Sequence, residues 1–403
     1  MLKNSTKLKR YSVYDENSSG LMFLLALFVP SILMFFVLLA CGGIWGKDFT
    51  TTHKTFYYVL CFLVPQIGML ASFFFVSERK KVNYAKANQI NFKINIWALA
   101  IVVVIGIVCL YGFTPLINWF DHVVEGWGYK TSMSNDMIYS LINSPLKLIA
   151  GLLYIALLPA IVEELTFRGV ITNGLKKQGV VTQIALSAVM FALMHQNLQQ
   201  LIYQLFLGAI MAYITVRCGS IIYTMILHFM NNAVILIVSY ASKNATTTVD
   251  YSNAWNVISP FIFAILAIGV VIGLLFLIDF ILKKSDAKQK QNKLGSVTQS
   301  AQSEETENNV TANLKQNNAE TISNLAVSEN ASAQKDAENS SKQNVVEEKN
   351  DPKEQTEKTP QTNKPIPFWK NPFMAIALVA GVLMWIVTVV SNFKWYFGCI
   401  FLV

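Results

Sequence analysis

Long apolar stretches alternate with short polar segments along most of the chain, and this alternation predicts membrane-spanning helices. A helix needs about 20 apolar residues to cross the hydrocarbon core of a bilayer. Inside that core a helix satisfies its own backbone amides, which water cannot do there. Nine stretches have the required length: 21–44, 56–77, 96–117, 147–167, 180–198, 200–217, 220–240, 256–282 and 372–392. The predicted fold is an all-α membrane helix bundle with eight core spans and a ninth, C-terminal span.

Composition supports a membrane protein and argues against nucleic-acid binding. Hydrophobic residues make up 53% of the 403 residues and charged residues only 14%, whereas a soluble domain carries about 25% charged residues. The net charge is +8, but the basic residues lie in short loops and form no basic stripe with interleaved aromatic residues. We therefore expect contact with the lipid bilayer and none with nucleic acid. The cysteines lie in or beside apolar stretches without a CxxC pair, so no disulfide framework is indicated.

The distribution of Lys and Arg predicts the orientation in the membrane. With residues 1–19 in the cytoplasm, the inner loops hold most of the basic residues, as the positive-inside rule requires. This orientation predicts a multi-pass protein of the cell membrane. Trp119, Trp127 and Tyr129 would then lie in an outer loop, at 118–145, as anchors at the lipid–water interface.

Residues 283–370 differ in composition from the rest of the chain and are predicted to be a disordered cytoplasmic linker. Lys, Gln, Asn, Glu, Ser, Ala and Thr dominate this segment, so it cannot bury enough apolar surface to offset the entropy of ordering. The predicted organisation is listed by residue number: a cytoplasmic N-terminus at 1–19, three transmembrane helices within 20–117, a core at 145–282, the linker at 283–370, and a C-terminal transmembrane segment at 371–403.

Candidate chemistry begins with an acidic pair inside the fourth span. Charged residues are costly inside a membrane, so Glu163, Glu164 and Arg168 are functional candidates. Positions four apart share a helix face, which predicts a charge-assisted pair between Glu164 and Arg168. Glu163 is rotated by about 100° from that face and is free to face a cavity. Its desolvated carboxylate would suit a general base.

Two further clusters lie in the fifth and seventh spans. Phe191 and His195 share one helix face, and Phe191 could form a wall of a site. His228 and Asn232 also share a face, where an imidazole beside a carboxamide could stabilise an oxyanion. A single His or Asn in a span often serves only in interhelical hydrogen bonding, but three such clusters in neighbouring spans favour a site.

These residues carry a specific family resemblance. The segment Glu163-Glu164-Leu-Thr-Phe-Arg168 resembles the EExxxR motif of the CPBP family, also called CAAX proteases and bacteriocin-processing enzymes. Phe191-xxx-His195 is similar to the second motif of that family and His228-xxx-Asn232 to the third. The order and separation of the motifs also match, over roughly 147–240.

The resemblance implies an eight-helix intramembrane glutamate-dependent endopeptidase, similar to the Ras-converting enzyme, with a metal-free site. It implies that Glu163 and His195 activate water, that His228 and Asn232 bind the oxyanion, and that the remaining motif residues support them. Expected substrates are peptides or membrane proteins, and many bacterial members act in peptide maturation or in self-immunity to bacteriocins. The linker and the ninth span depart from the common pattern of the family, and their role stays open.

Other functions remain possible readings of the same residues. Glu163, His195 and His228 could supply three ligands to a catalytic zinc, although HExxH spacing is absent, and no other cofactor is expected. An ion-coupled transporter would use buried Glu and His as a proton relay, but no repeated halves are visible. A third alternative is a non-catalytic immunity protein. Ser187 lies eight residues before His195 with no third group, so a nucleophilic serine is not indicated.

Overall fold

Nine apolar helices form the frame of the computed structural model, which describes residues 12–129, 135–242, 249–329 and 367–392. They are α1 (Glu16–Trp45), α2 (Lys54–Lys80), α3 (Ile96–Gly126), α4 (Pro145–Thr172), α5 (Val180–Met194), α6 (Leu198–Cys218), α7 (Ile222–Ala241), α8 (Ala254–Glu329) and α9 (Pro372–Asn392). Shorter helical pieces cover Phe49–Thr52, Tyr84–Ala87, Asn135–Ile142, Lys176–Gln178 and Phe368–Lys370. Within these described ranges no strand occurs, which confirms the all-α class.

Eight of these helices are long and apolar enough to cross a membrane, with Ala254–Gln289 as the spanning part of α8. Helix α5 is the shorter one. Its 15 residues extend about 22 Å, less than the roughly 30 Å of the hydrocarbon core. The stretch predicted as a span at 180–198 is therefore a short helix followed by a tight turn, because the polar residues after Met194 leave the helix and Gln196 adopts a left-handed conformation, with φ of 48°.

Local sequence signals account for where several helices begin. The Asp15 carboxylate accepts a hydrogen bond from the Ser18 backbone amide and forms a capping box at the start of α1. Ser144 caps α4, whose first residue is Pro145, a position where proline costs no hydrogen bond. The Asn197 side chain accepts a hydrogen bond from the backbone amide two residues on, and α6 starts there.

Helix α4 lies at the centre of the bundle. It packs against α1, α2, α5, α6 and α7, and nearly every side chain from Val162 to Thr172 is buried. The Ser19 hydroxyl of α1 donates to the Ile171 carbonyl at 2.9 Å, and the hydroxyls of Thr172 and Ser187 lie 2.7 Å apart between α4 and α5. Polar groups of α4 can therefore point only at neighbouring helices, and this places its glutamates in the protein interior.

The beginning of the predicted linker is helical in the structure. Helix α8 continues past the membrane-spanning part as far as Glu329, whereas composition predicted no regular structure from residue 283 onward. The physical reason is that 283–329 contains no proline and many Ala, Glu, Lys and Gln residues, so a helix can satisfy its backbone without a packed core. Residues 283–364 form a unit of their own, and the part of the linker at 330–366 lies outside the described residues.

Tyr129 has a different environment from the interfacial one that the sequence suggested. Its side chain is 1% exposed. The hydroxyl donates to the Asn197 side-chain carbonyl at 3.2 Å and accepts from the Leu198 backbone amide at 3.1 Å. Because α3 extends nine residues beyond the predicted end at 117, Tyr129 reaches the turn between α5 and α6 instead of the lipid surface.

Candidate active site

The helix that carries the acidic pair is irregular on both sides of it. Within α4, the segments Leu152–Leu157 and Leu165–Thr172 are π-helical and flank the α-helical segment Leu158–Glu164. Such wide turns occur frequently at functional sites. Side chains at the end of the second π segment satisfy its carbonyls, since the Thr172 hydroxyl donates to the Phe167 carbonyl at 2.8 Å. Regular helical periodicity in the sequence gave no signal for these turns.

Glu164 and Arg168 form the predicted ion pair. An Arg168 guanidinium nitrogen, Nη1, lies 3.0 Å from Glu164 Oε1, and both side chains are fully buried. A second nitrogen, Nη2, donates to the Gly208 carbonyl at 3.3 Å. The guanidinium also stacks over the Phe191 ring at 4.4 Å from its centroid. The pair thus joins α4 to α5 and α6 with charge-assisted and cation–π contacts.

Gly208 makes this junction possible, and the sequence analysis did not single it out. A Cβ atom at this position would lie 3.1 Å from Phe191 Cδ1 and 3.2 Å from the Ala188 backbone. A side chain would therefore push α6 away from α5 and withdraw the carbonyl that Arg168 binds. A glycine within an apolar span is a weak sequence signal for close helix packing.

Glu163 faces a different neighbour from Glu164, as the predicted rotation between them requires. Its Oε1 accepts a hydrogen bond from Gln66 Nε2 of α2 at 3.1 Å. Its Oε2 is buried and has no hydrogen-bond partner among the described residues. Gln66 is itself 7% exposed and was missed by sequence reasoning, although an amide directly after Pro65 inside an apolar span was an available signal.

His195 is the first residue after α5. Its Nδ1 lies 2.8 Å from the Phe191 carbonyl oxygen. Because a carbonyl can only accept, Nδ1 carries a proton, and in the neutral ring Nε2 holds a free lone pair. The rings of His195 and His228 both pack against Phe191, and His228 lies beside Glu163, so ionisable groups from α4, α7 and the end of α5 meet at one place.

His228 of α7 lies between the two glutamates. Its Nδ1 is 3.0 Å from Glu164 Oε1, and its Nε2 is 3.9 Å from Glu163 Oε2. The side chain is 5% exposed. The spacing of residues within α4 predicted only the contact of Glu164 with Arg168. It could not predict the contact with His228, because residues on two different helices have no fixed sequence separation. The Glu164 carboxylate therefore orients the His228 imidazole and also balances the charge of the Arg168 guanidinium.

Asn232 lies one turn after His228 and is half-buried. Its side-chain carbonyl accepts from Asn231 Nδ2 at 3.1 Å, and the Asn231 side-chain carbonyl accepts from the Tyr203 hydroxyl. This chain of hydrogen bonds leaves the Asn232 amide nitrogen as the group available for a further acceptor. Asn231 and Tyr203 are both buried and were not predicted, although Asn231 lies inside the third motif.

Phe191 is fully buried at the centre of these contacts. Its ring meets the His195 ring edge to face at 4.8 Å and the His228 ring at 6.0 Å. Phe167 packs against it at 5.1 Å in the same manner. The sequence predicted that Phe191 forms a wall of the site. In the structure its ring packs against both histidines, so Phe191 belongs to the packed core that supports them and does not only line a pocket.

The described residues contain no group of three or more His, Cys, Asp or Glu side chains arranged to hold a metal ion. Two of the three ligands considered for zinc already have protein neighbours: Glu163 accepts from Gln66 through Oε1, and His228 contacts Glu164 through Nδ1. Each keeps one further atom, Oε2 or Nε2, for another partner.

Comparison with known proteins finds one family that is similar to the segment carrying these residues. The family model described as type II CAAX prenyl endopeptidase Rce1-like matches residues 145–234. The matched segment starts at the first residue of α4 and ends just after Asn232, so it contains all three motifs. No curated protein and no solved structure matches the chain.

Eight helices long and apolar enough to cross a bilayer and a match to a protease family over less than a quarter of the chain indicate the class: a multi-pass membrane protein with a segment similar to a protease, a kind of hydrolase. More particularly, the match confirms the predicted resemblance to the CAAX proteases of the CPBP family. A protease core implies a peptide or protein as substrate, and the eight spanning helices imply embedding in a lipid bilayer.

Proposed function

We propose that the protein is an intramembrane glutamate-dependent endopeptidase of the cell membrane. Glu163 and His195 would activate a water molecule for direct attack on a peptide carbonyl, without a covalent intermediate. His228 and Asn232 would stabilise the oxyanion that the attack creates. This proposal accounts for all three motifs with one reaction.

The observation that carries the proposal is the environment of Glu163. Its Oε2 is buried, lacks a hydrogen-bond partner among the described residues, and faces His228 Nε2 at 3.9 Å. That separation is too long for a direct hydrogen bond, so Oε2 is free to accept a hydrogen bond from a water molecule. A buried carboxylate oxygen without a hydrogen-bond partner destabilises the folded protein. A role of this oxygen as general base explains why such a group is present.

In the first step, the water oxygen attacks the carbonyl carbon while its proton passes to Glu163. The free lone pair of His195 Nε2 accepts the second hydrogen bond of the water and holds it in line with the carbonyl. The carbonyl π bond breaks as the new C–O bond forms, and the negative charge develops on the former carbonyl oxygen.

The oxyanion would be bound by two donors on one face of α7. One is the Asn232 amide, whose orientation is supported by the hydrogen bonds from Tyr203 and Asn231. The other is His228 Nε2. Since Nδ1 of the same ring donates to Glu164, donation from Nε2 requires the doubly protonated imidazolium form. Donors that are fixed before the reaction stabilise the transition state most effectively.

In the second step, the tetrahedral intermediate collapses and the C–N bond breaks. The proton held by Glu163 is transferred to the leaving amine, which departs as a neutral amine. That transfer restores the carboxylate of Glu163, and the new carboxyl group gives its own proton to bulk water after release. Protons and electrons balance without a metal or an organic cofactor, so we propose a metal-free mechanism.

The membrane position of the site limits the substrate class. The first and third motifs lie on the spanning helices α4 and α7, and the second lies at the end of the short helix α5. The scissile bond therefore has to reach the bundle interior, as a peptide or as a segment of a membrane protein. Peptide or bacteriocin maturation, or self-immunity, would provide such substrates. An ion-coupled transporter and a non-catalytic immunity protein use the same buried residues differently, and both predict that no peptide is cleaved.

The test uses purified protein reconstituted in lipid with a peptide pool, and cleavage is read by mass spectrometry. Glu163→Gln keeps the shape and the hydrogen bond from Gln66 but removes the base. Ile161→Val, on the same helix at a side chain that is 39% exposed, serves as the matched control. We expect cleavage by the native protein and by the control, and almost none by Glu163→Gln.

Two outcomes would contradict the proposal. Undiminished cleavage by Glu163→Gln would remove Glu163 from the mechanism. Absence of cleavage by the native protein, with flux of an ion or solute across the vesicles, would favour the transporter. Comparison of membrane peptidomes from cells with the native protein and with Glu163→Gln would then identify the peptides that depend on the site.

A further inference from the structure

Helix α9 lies outside the segment that matches the family, yet it packs beside the active-site turn. It runs along α1 in the same direction. At one end Asn371 Nδ2 donates to the Asn17 side chain at 2.9 Å. Further along, a Cβ on Gly381 would lie 2.7 Å from the Phe23 ring. This close contact with α1 gives α9 a defined position in the bundle.

The far end of α9 reaches the turn that connects α5 and α6. The Thr388 hydroxyl donates to the Gln196 side-chain carbonyl at 3.1 Å. Trp385 and Val389 pack in one apolar cluster with Tyr129 and Leu198. Gln196 and Leu198 lie one and three residues after His195, so α9 touches the segment whose backbone sets the position of the imidazole.

The turn needs such support because its own backbone is unfavourable. Gln196 has φ of 48°, a left-handed conformation that a side chain other than Gly or Asn rarely adopts and that persists where the surroundings hold it. Inside the turn, the backbone amides of His195 and Gln196 bond only to carbonyls three residues back, at 3.3 and 3.2 Å. Contacts from outside the turn therefore stabilise it: one from Tyr129, three residues after the end of α3, and one from Thr388 of α9.

We propose that α9 is a positioning element of the active site. By holding Gln196 through Thr388, and by packing Trp385 and Val389 into the cluster that contains Leu198, it fixes the place of His195 relative to Glu163. The effect of α9 on turnover rests on the proposed function, whereas its effect on the structure of the turn does not. Thr388 and Trp385 are positioning residues that act through the turn and touch no reacting atom.

The first measurement is hydrogen exchange of the full-length protein at residues 194–199. The Gln196 amide bonds to the Leu193 carbonyl and the Leu198 amide to the Tyr129 hydroxyl, so exchange of both reports opening of the turn. Thr388→Val removes the hydroxyl at nearly constant shape, and we expect exchange to be faster by about tenfold. Val387→Ala, at a neighbouring side chain that is 67% exposed, is the control and should leave exchange unchanged.

The second measurement is cleavage by the folded, monodisperse fraction of the same variants. Thr388→Val should lower kcat by roughly 10- to 100-fold, the effect of a misplacement of about 1 Å, and leave KM unchanged. A role in folding alone would lower yield and leave kcat of the folded fraction at the native value. Trp385→Leu should act in the same direction.

Each outcome decides a separate point. Unchanged exchange at 194–199 in both Thr388→Val and Trp385→Leu would overturn the inference, whatever the activity. If hydrogen exchange is faster in the variants while kcat keeps its native value, the inference is also overturned, because the contact of α9 with the turn then has no effect on catalysis. If the native protein cleaves no peptide, the proposed function fails, and exchange still shows whether α9 holds the turn.

Discussion

The two adjacent glutamates offer a matched comparison, because the same substitution at neighbouring positions should have opposite effects. Glu164 contacts Arg168 at 3.0 Å and His228 at 3.0 Å, with no exposed surface on its own side chain. Glu163 contacts Gln66 through one oxygen only. We predict that Glu164→Gln lowers stability strongly, and that Glu163→Gln leaves stability near the native value while cleavage is lost.

The magnitude follows from the burial of the pair. Glu164→Gln leaves the Arg168 guanidinium at 0% exposure with a neutral partner. Removing one member of a buried ion pair typically costs about 3–5 kcal/mol. At roughly 2–4 °C per kcal/mol, a typical value for domains of about 150–250 residues, the melting midpoint should fall by roughly 6–20 °C. In Glu163→Gln the new side-chain carbonyl can still accept from Gln66, so no comparable cost arises.

The assay is thermal unfolding in one detergent, followed by loss of the monodisperse fraction, with native protein, both single variants and a double variant. Since the cost of Glu164→Gln comes from an unpaired charge, Arg168→Met in the Glu164→Gln background should recover part of the lost stability. Two results would refute this reasoning: a larger loss for Glu163→Gln than for Glu164→Gln, or a double variant with no recovery at all.

Four further predictions concern the site and its surroundings. Glu163→Gln and His195→Ala should each remove most peptidase activity. The double variant should be scarcely less active than either single variant, because both residues act on one water molecule. Measurement of kcat for the three variants tests this, and additive losses would contradict it. His228→Ala or Asn232→Ala should lower kcat by about 10²–10³ with little change in KM, which steady-state kinetics would test. Strong chelators should leave cleavage intact and purified protein should contain little zinc, whereas loss of activity that zinc restores would establish a metal-dependent site. A single cysteine placed in 283–370 should resist an impermeant reagent on intact cells and react in inverted vesicles, and the reverse pattern would show the opposite orientation.

Features that depend on spacing within one helix could be predicted from the sequence. Four residues bring a helix nearly back to the same face, so the contact of Glu164 with Arg168 was predicted and is present at 3.0 Å. The location of eight of the nine apolar helices followed from the length needed to cross a bilayer, whereas α5 is shorter than the span predicted there. The three motifs and their order also sufficed to find the family that the comparison confirmed over 145–234.

The beginning of the linker shows what composition alone leaves open. Few apolar residues in 283–370 imply that no core can form, and from this we predicted disorder. A helix, however, makes its backbone hydrogen bonds within itself, and the structure has helix α8 as far as Glu329. A segment that cannot form a hydrophobic core can still be helical. Composition predicts only that no core forms.

Contacts between helices were decided by the tertiary structure alone. His228 and Glu164 are 64 residues apart, Gln66 and Glu163 are 97 apart, and Thr388 and Gln196 are 192 apart. No periodicity links such positions, because the face that a helix presents to its neighbour depends on tilt, on close approach at residues such as Gly208, and on irregular turns of the kind found in α4. The amino-acid sequence by itself therefore determined which helices form and which polar residues they carry, and only packing determined which of those residues meet, because helix geometry acts over a few residues and packing over the whole chain.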